Sequence, residues 1–261
     1  MNLDLKGKNA LVCGSTQGIG RAAAIELASL GANVVLMARN GDALQSVKSE
    51  LPGNGDHDFI VADFSEPDVL KEIVKDYISK TGIQFNILVN NTGGPAGGPI
   101  INAETDAFEK TFSQHLVVNH ILVQTLLSGM KESGYGRIIN IISTSVKQPL
   151  TGLGVSNTIR AAVANWAKTM ANELGQFGIT VNNVLPGATA TARLKSIIQN
   201  KAAKTGKTES EIEKQMLSAI PLGRFAKAEE VANVIAFLAS PAAAYINGIN
   251  VPVDGGRTSS L

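Results

Sequence analysis

Three glycines, Gly14, Gly18 and Gly20, follow an apolar run and lead directly into a stretch of good helix formers. The first N–H groups of a helix lack partners within it and lie at the positive end of its dipole, so a pyrophosphate can bind there when no side chain intervenes. The spacing Gly-x3-Gly-x-Gly differs from the common dinucleotide fingerprint, and an ordinary turn can also carry three glycines. The segment that would hold the pyrophosphate comprises Gly14, Ser15, Thr16, Gln17, Gly18, Ile19 and Gly20.

The residues that follow the second predicted strand, at 33–37, indicate which of the two common dinucleotides, NAD or NADP, the chain would bind. In doubly wound folds an acidic residue there binds the ribose 2′-hydroxyl, whereas an arginine accommodates a 2′-phosphate. This chain has Ala38 and Arg39 at that point, and no acid. A guanidinium group suits phosphate and can stack on adenine, although a solvated loop arginine would give the same sequence. The pattern favours NADP over NAD.

Composition argues against several classes of function. The chain has 261 residues, 44% of them hydrophobic, which is enough for the core of a single domain. A net charge of +1 without long basic runs argues against nucleic acid or an anionic membrane surface as a partner. No apolar stretch reaches the roughly 18 residues that a membrane helix needs. Cys13 is the single cysteine and cannot form an internal disulfide, so we expect a cytoplasmic protein.

Short β-branched runs alternate with longer helical patterns, which is typical of right-handed βαβ units around a parallel sheet. The predicted strands span residues 9–13, 33–37, 58–61, 87–90, 137–142, 180–185 and 249–251. The predicted helices begin near residues 18, 41, 66, 104, 154, 189, 208 and 228. Ser65 is predicted to cap the third helix, with Pro67 in its first turn. We therefore predict an α/β fold, a single Rossmann-type, doubly wound domain with seven parallel strands and helices on both faces.

These motifs occur in the order found in the classical short-chain dehydrogenase/reductase family, and the chain resembles its 3-oxoacyl-[acyl-carrier-protein] reductases over residues 7–256. The glycine loop is similar to the coenzyme loop of that family. Ser143 ends a strand similar to the one that carries the catalytic serine, and Asn119 stands where the catalytic asparagine falls. The resemblance implies hydride transfer between NADP(H) and a small alcohol or carbonyl compound. It implies further coenzyme contacts at Asp63, Phe64, Asn91, Thr92, Gly93, Pro186, Gly187, Thr189 and Thr191.

The resemblance also implies a substrate lid and an oligomer. The lid corresponds to residues 192–220, and lids of this kind often become ordered on binding. The glycine-rich run 93–99 is expected to pass over the nicotinamide end of the crevice, although it could be a plain turn. Family members usually form tetramers through two long helices, here about 104–131 and 154–177, so we expect a homotetramer.

The chain departs from the family pattern at its proton donor. In the family a Tyr-x-x-x-Lys pair follows the serine, whereas Ser156 and Arg160 occupy these positions here. Serine is a much weaker acid than a phenol of pKa near ~10, and arginine stays charged above pH ~12. We therefore expect Arg160 to act through its charge and to bind the nicotinamide ribose. Lys147 would supply a proton only if burial lowered its pKa, and it could equally be a solvated loop charge.

Three functions remain open at this point. The first is an atypical NADP-dependent oxidoreductase that takes its proton from water, Lys147 or the substrate. The second is a pseudoenzyme that binds NADP as a sensor, and the third is a lyase or dehydratase that reuses the crevice. His57, His115 and His120 lack a partner pattern and are expected to be structural or surface residues. No metal site is predicted.

Overall fold

A parallel sheet forms the centre of the molecule in the computed structural model, which describes residues 1–260. Its strands are β1 Asn9–Cys13, β2 Asn33–Ala38, β3 Asp58–Val61, β4 Ile87–Asn90, β5 Gly136–Ile141, β6 Ile179–Pro186 and β7 Asn250–Val253. The strand order is β3-β2-β1-β4-β5-β6-β7, and every neighbouring pair is parallel. The prediction of a Rossmann-type sheet of seven parallel strands is therefore confirmed.

Successive residues of a strand point to opposite sides of the sheet, so both faces carry apolar side chains. Helices cover both of these faces. The helices are α1 Gly18–Ser29, α2 Gly41–Glu50, α3 Pro67–Thr81, α4 Thr105–Phe112, α5 Val118–Glu132, α6 Gly154–Leu174, α7 Ala192–Thr205, α8 Glu209–Leu217 and α9 Ala228–Ala239. Ala10 and Val12 of β1 pack in a core with α1, α2 and α9. Leu11 and Cys13 pack in a second core with α3, α5 and α6. Helices α7 and α8 pack on each other in a separate cluster, in the region expected to form the lid.

Four asparagines form a continuous row of side-chain hydrogen bonds from β4 to β7. Asn140 accepts a hydrogen bond from Asn90 (2.8 Å) and donates one to Asn183 (2.9 Å). Asn183 in turn donates to Asn250 (2.8 Å). The parallel register aligns these residues across the sheet. A shift of any of these strands by one residue would leave buried amides without partners, so the row favours a single register for β4 to β7. Ser143 follows β5 in this half of the sheet.

The region 104–131 is not the single regular helix that the sequence predicts. Helix α4 ends at Phe112, a turn of π-helix spans Ser113–Val117, and α5 then begins at Val118. A π-helical turn contains an extra residue and is frequent at functional sites. The interruption lies immediately before Asn119. Within residues 1–260, none of the helices combines the length and the hydropathy of a membrane-spanning segment.

Two predicted helix starts were wrong in detail. Ser65 does not cap α3, because its hydroxyl donates to Asp63 (2.8 Å) and Glu66 occupies the capping position. The helix expected near residue 189 begins at Ala192, because Thr191 is extended and its hydroxyl accepts the Leu194 N–H (3.5 Å). In both cases a side-chain hydroxyl bond marks where the helix begins: Ser65 bonds to Asp63 outside α3, and Thr191 caps the first turn of α7.

Asn140→Ala tests the asparagine row. The change leaves the Asn90 amide and the Asn183 carbonyl group without their partners inside the sheet. Because an unsatisfied buried polar group costs roughly 1–3 kcal/mol, we expect the free energy of unfolding in urea to fall by about 3 kcal/mol. Asn200→Ala, at an exposed position of α7, is the control and should change it by less than about 0.5 kcal/mol. Equal effects of the two variants would contradict a structural role for the row.

Candidate functional site

The carboxyl ends of the parallel strands meet along one edge of the sheet, and the strand order reverses between β1 and β4. Open α/β sheets bind ligands in the crevice at such a switch point. One predicted site residue follows closely on each of the first six strands: Gly14, Arg39, Asp63, Asn91, Ser143 and Gly187. The fold therefore brings the separate predicted segments to one crevice.

Asn91 joins the glycine loop to the end of β4. Its Nδ2 donates to the carbonyl oxygens of Cys13 (3.3 Å) and Gly14 (3.2 Å). Gly14 has a φ of +58°, and a Cβ at this residue would lie 2.5 Å from the carbonyl oxygen of Asn91. A Cβ at Gly20 would lie 2.7 Å from Asn91 Nδ2. Both glycines are required for this close approach, which also keeps side chains away from the first N–H groups of α1.

Ser15 ties the same loop to β2. It is fully buried, and its hydroxyl accepts a hydrogen bond from the Met37 N–H (3.0 Å). The Ser15 side chain therefore positions the loop from inside the protein. The neighbouring loop residues are half-buried or exposed, and they are Thr16, Gln17 and Ile19.

The segment after β6 lies against the glycine loop. A Cβ at Gly18 would be 3.2 Å from the methyl carbon of Thr191. The Thr191 hydroxyl donates to the Thr189 carbonyl (3.3 Å), and the Thr189 hydroxyl donates to the Gly187 carbonyl (3.2 Å). Pro186 ends the strand that leads into this segment. The segment 186–191, where the resemblance implies coenzyme contacts, and the predicted pyrophosphate loop thus share one wall of the crevice.

Arg39 and Asp63 lie side by side at the ends of β2 and β3. The Arg39 side chain is 73% exposed, and its Nη1 is 3.8 Å from an Asp63 carboxylate oxygen. The Ser65 N–H and hydroxyl both donate to Asp63 (2.8 Å each), and these bonds, the backbone one first, lower the pKa of Asp63. Phe64 is half-buried against the core of the α3 face. The guanidinium of Arg39 is therefore open to a phosphate group.

The residues that the resemblance implies for catalysis come from three elements. Ser143 is half-buried after β5, and its oxygen accepts the Ser145 N–H (3.1 Å). The hydroxyl proton of Ser143 remains available to a substrate oxygen. Asn119 is buried at the start of α5, directly after the π-helical turn. Ser156 is half-buried in the first turn of α6.

Arg160 is buried at the end of β5. It is only 9% exposed, and its Nη1 donates to the carbonyl oxygen of Ile141 (2.6 Å). Burial, followed by repulsion from Arg193, lowers the pKa of Arg160 to about 10, so the group stays charged at neutral pH. No acidic residue among 1–260 forms an ion pair with it. The site therefore contains a positive charge without an ion-pair partner in the described part of the chain. This charge contacts the carbonyl group of Ile141, the residue two positions before Ser143.

His115 lies beside this charge, a position that sequence patterns did not predict. It is 3% exposed, belongs to the π-helical turn, and its Nδ1 is 2.8 Å from the Thr92 hydroxyl. Burial, and then repulsion from Arg160, lower the pKa of His115 to about 3, while a hydrogen bond to the Gly93 backbone acts in the opposite direction. His115 is thus a neutral imidazole that holds the loop after β4. The sequence signal for its position was its spacing: His115 precedes Asn119 by four residues, so the two lie on the same side of a helix.

The remaining titratable residues singled out from the sequence have more ordinary surroundings. Lys147 is half-buried, and its side chain forms no ion pair within residues 1–260. His57 accepts a hydrogen bond from the Val34 N–H (3.1 Å), and His120 accepts one from Trp166 Nε1 (3.4 Å). Among the described residues, no group of three His, Cys, Asp or Glu side chains is arranged to hold a metal ion.

Comparison with known proteins relates this site to a family. The family profile described as Enoyl-(Acyl carrier protein) reductase matches residues 14–258. The NADPH-dependent reductase BacG of Bacillus subtilis is 32% identical over 257 residues, which cover 97% of this chain and 99% of that protein. The 3-oxoacyl-[acyl-carrier-protein] reductase FabG of Pseudomonas aeruginosa is 33% identical, covering 99% of this chain and 100% of its own. This chain belongs to the short-chain dehydrogenase/reductase family.

Solved structures of short-chain dehydrogenases/reductases have the same fold as this chain. YwfH, an NADPH-dependent reductase involved in bacilysin biosynthesis, superposes with a TM-score of 0.91 at 32% identity, covering 97% of this chain and 99% of its own. L-sorbose reductase from Gluconobacter frateurii, complexed with NADPH and L-sorbose, has a TM-score of 0.91 at 29% identity over 100% of both chains. This chain therefore has the sequence pattern and the fold of a family whose named members are NAD(P)H-dependent oxidoreductases of carbonyl or alcohol substrates.

The low pKa of His115 predicts a specific loss of stability in acid. The imidazole titrates near ~6.5 in the unfolded chain and at about 3 in the fold. Between these values the unfolded state binds more protons, so the free energy of unfolding decreases by about 1 kcal/mol per pH unit as the pH falls below 6.5. Above that pH the contribution is fully present. His115→Gln should remove this part of the slope in urea unfolding at pH 7.5 and 5.0, and an unchanged slope would contradict the assignment.

Proposed function

We propose that this protein is an NADP(H)-dependent oxidoreductase whose substrate receives its proton from a source other than a tyrosine. The observation that carries the proposal is a complete glycine loop after β1 combined with an α6 helix that carries Ser156 and the buried Arg160. The loop supports coenzyme binding, and the serine supports altered proton transfer. The names of BacG and of the L-sorbose reductase structure both specify NADPH, which supports the choice of coenzyme.

The residues around the crevice fit NADP(H) because the loop 14–20 has no room for a Cβ at Gly14 or Gly20. Its N–H groups are therefore free of side chains that would block a pyrophosphate. When bound, the coenzyme supplies the hydride. The N–H groups of the loop 14–20 would bind the pyrophosphate, and Arg39 would bind the 2′-phosphate. Asp63 would accept a hydrogen bond from the adenine amino group. Segments 91–93 and 186–191 would hold the nicotinamide end.

The residues of the chain would stabilise charge rather than release a proton from α6. Ser143 would donate a hydrogen bond to the substrate oxygen as negative charge develops there, and Arg160 would hold its positive charge nearby. Asn119 keeps the family position at the start of α5. The proton would come from water, from Lys147 or from the substrate itself, because Ser156 and Arg160 release protons poorly near neutral pH.

A protein that binds NADP(H) as a sensor is the second candidate, and the missing phenol at Ser156 favours it equally. The two functions are separated by measuring NADPH absorbance across a broad panel of carbonyl and alcohol compounds, together with NADPH affinity by calorimetry. Oxidation of NADPH with any acceptor in the panel supports the oxidoreductase. Tight binding of NADPH without turnover of any compound supports the sensor.

We also propose that the protein is a homotetramer that associates through the outer faces of α4, α5 and α6. Ala161 is exposed on α6, where its small side chain permits close helix packing. Phe112 is 42% exposed at the end of α4, so this face retains apolar surface. Closed two-fold symmetry is the usual arrangement for such contacts.

Arg39→Gln tests the choice of coenzyme. The parent protein should bind NADPH more tightly than NADH by ~1–3 kcal/mol, the range of a charge-assisted contact. The variant should lose most of this difference because only NADPH carries the 2′-phosphate. Its affinity for NADH should be unchanged, which provides an internal control. Equal affinities of the parent for the two coenzymes in calorimetry would contradict the prediction.

Substitutions of Ser143 and Ser156 test the assigned chemistry. Ser143→Ala should lower kcat by ~10²–10³ because it removes a hydrogen bond to the developing oxyanion, whereas Ser156→Ala should leave kcat nearly intact. The double change Ser156→Tyr with Arg160→Lys should introduce or raise reduction of simple ketones, because it supplies a phenol beside an ammonium group. Ordinary ketone activity in the parent together with a large loss in Ser156→Ala would overturn this assignment.

A further inference from the structure

Two arginines from distant parts of the chain approach the same point of the loop after β4. A Cβ at Gly94 would lie 3.5 Å from Arg193 Nη2 and 3.7 Å from Arg160 Nη2. Arg193 Nη2 also donates to the carbonyl oxygen of Pro95 (2.7 Å), whereas Arg160 uses its Nη1 to donate to Ile141 (2.6 Å). The two guanidinium groups therefore lie close to one another beside Gly94.

The buried position of Arg160 is unfavourable for a positive charge in the absence of a counter-ion, whereas Arg193 is exposed and is disfavoured only by the helix dipole. Arg160 is 9% exposed, and Arg193 lowers its pKa further after burial has done so. Arg193 stands in the first turn of α7, at the positive end of the helix dipole, and that turn contains no acidic residue. Within residues 1–260, no Asp or Glu forms an ion pair with either arginine. An anion bound between them would offset both unfavourable placements.

The first lid helix, α7, and the residues that follow it are cationic as well. Residues 192–207 contain no acidic residue and five basic ones, Arg193, Lys195, Lys201, Lys204 and Lys207. Lys204 Nζ donates to the carbonyl oxygen of Gly97 (3.2 Å), so α7 contacts the glycine-rich run 93–99 through two basic side chains. A charged surface of this kind raises the local concentration of anionic ligands at the mouth of a crevice.

We propose that Arg160 and Arg193 together bind the carboxylate of an oxo-acid substrate. The proposal deepens the proposed reductase function and rests on it. Guanidinium groups bind carboxylates through paired, charge-assisted N–H bonds, a geometry that lysine cannot reproduce. This accounts for an arginine at position 160, where the family pattern has lysine.

The position of the two arginines favours the substrate over the coenzyme as the source of the anion. The pyrophosphate has its own cradle in the loop 14–20, and the 2′-phosphate has Arg39. Arg160 is instead anchored at the end of β5, on the same side as Ser143. Ser156, one helical turn before Arg160, occupies less space than the family tyrosine and leaves room for the carbon chain of an acid.

The test compares an oxo acid with its neutral ester in the full-length protein with NADPH. The probes are 2-oxo-4-phenylbutanoate and its ethyl ester, and the rates are followed by NADPH absorbance. We expect the parent to prefer the acid at least tenfold in kcat/KM. Arg193→Gln should raise KM for the acid about tenfold to a hundredfold and leave the ester unchanged. Lys214→Gln, which removes an exposed charge from α8, outside the cationic segment 192–207, is the control and should change neither substrate by more than about twofold.

Binding measurements separate the proposal from the reductase function on which it rests. Calorimetry of the NADP⁺ complex with 2-oxo-4-phenylbutanoate, in which no hydride is available for reduction, should detect binding in the parent and a loss of about tenfold or more in Arg193→Gln. NADPH affinity should be the same in both proteins. An Arg193→Gln variant that loses NADPH affinity would instead assign the arginine to a coenzyme phosphate and overturn the proposal. Equal binding of acid and ester by the parent would overturn it as well.

Discussion

The buried guanidinium of Arg160, which donates to the Ile141 carbonyl, places a positive charge at the end of β5. Burial lowers the pKa of His115 most, and the nearby charge of Arg160 lowers it further, so His115 is neutral and serves as a hydrogen-bonding partner for Thr92. No acidic side chain within residues 1–260 pairs with Arg160. Any ligand that binds beside Ser143 would therefore meet a fixed positive charge at the end of β5.

Two parts of the family pattern lie on separate elements of this chain. The glycine loop follows β1, whereas the positions of the Tyr-x-x-x-Lys pair lie on α6. The predicted coenzyme loop depends on its glycines and on Asn91, and none of these contacts involves α6. The Tyr-x-x-x-Lys pair of the family would fall in the first turns of α6, where this chain has Ser156 and Arg160 instead. One fold can therefore keep its coenzyme chemistry while the path of the proton changes.

Much of the fold and of the coenzyme site could be predicted because the signals are local in sequence. The glycines of the loop precede α1 directly, and Gly14, Gly18 and Gly20 are the residues that the close contacts require. The asparagine row was not predictable, because it depends on the register of four strands that are far apart in the chain. The π-helical turn was missed because residues 104–131 have a pattern that also suits a regular helix, and Arg193 was missed because its partner loop is about a hundred residues away.

Hydride transfer itself tests the central claim most directly. NADPH deuterated at both C4 positions of the nicotinamide is incubated with the protein and an oxo-acid or ketone acceptor, and the product is analysed by mass spectrometry. We expect a single deuterium on the former oxo carbon of the product, together with stoichiometric formation of NADP⁺. Tight binding of the labelled NADPH, with no deuterium in any acceptor across a broad panel, would contradict an oxidoreductase and identify a protein that only binds the coenzyme.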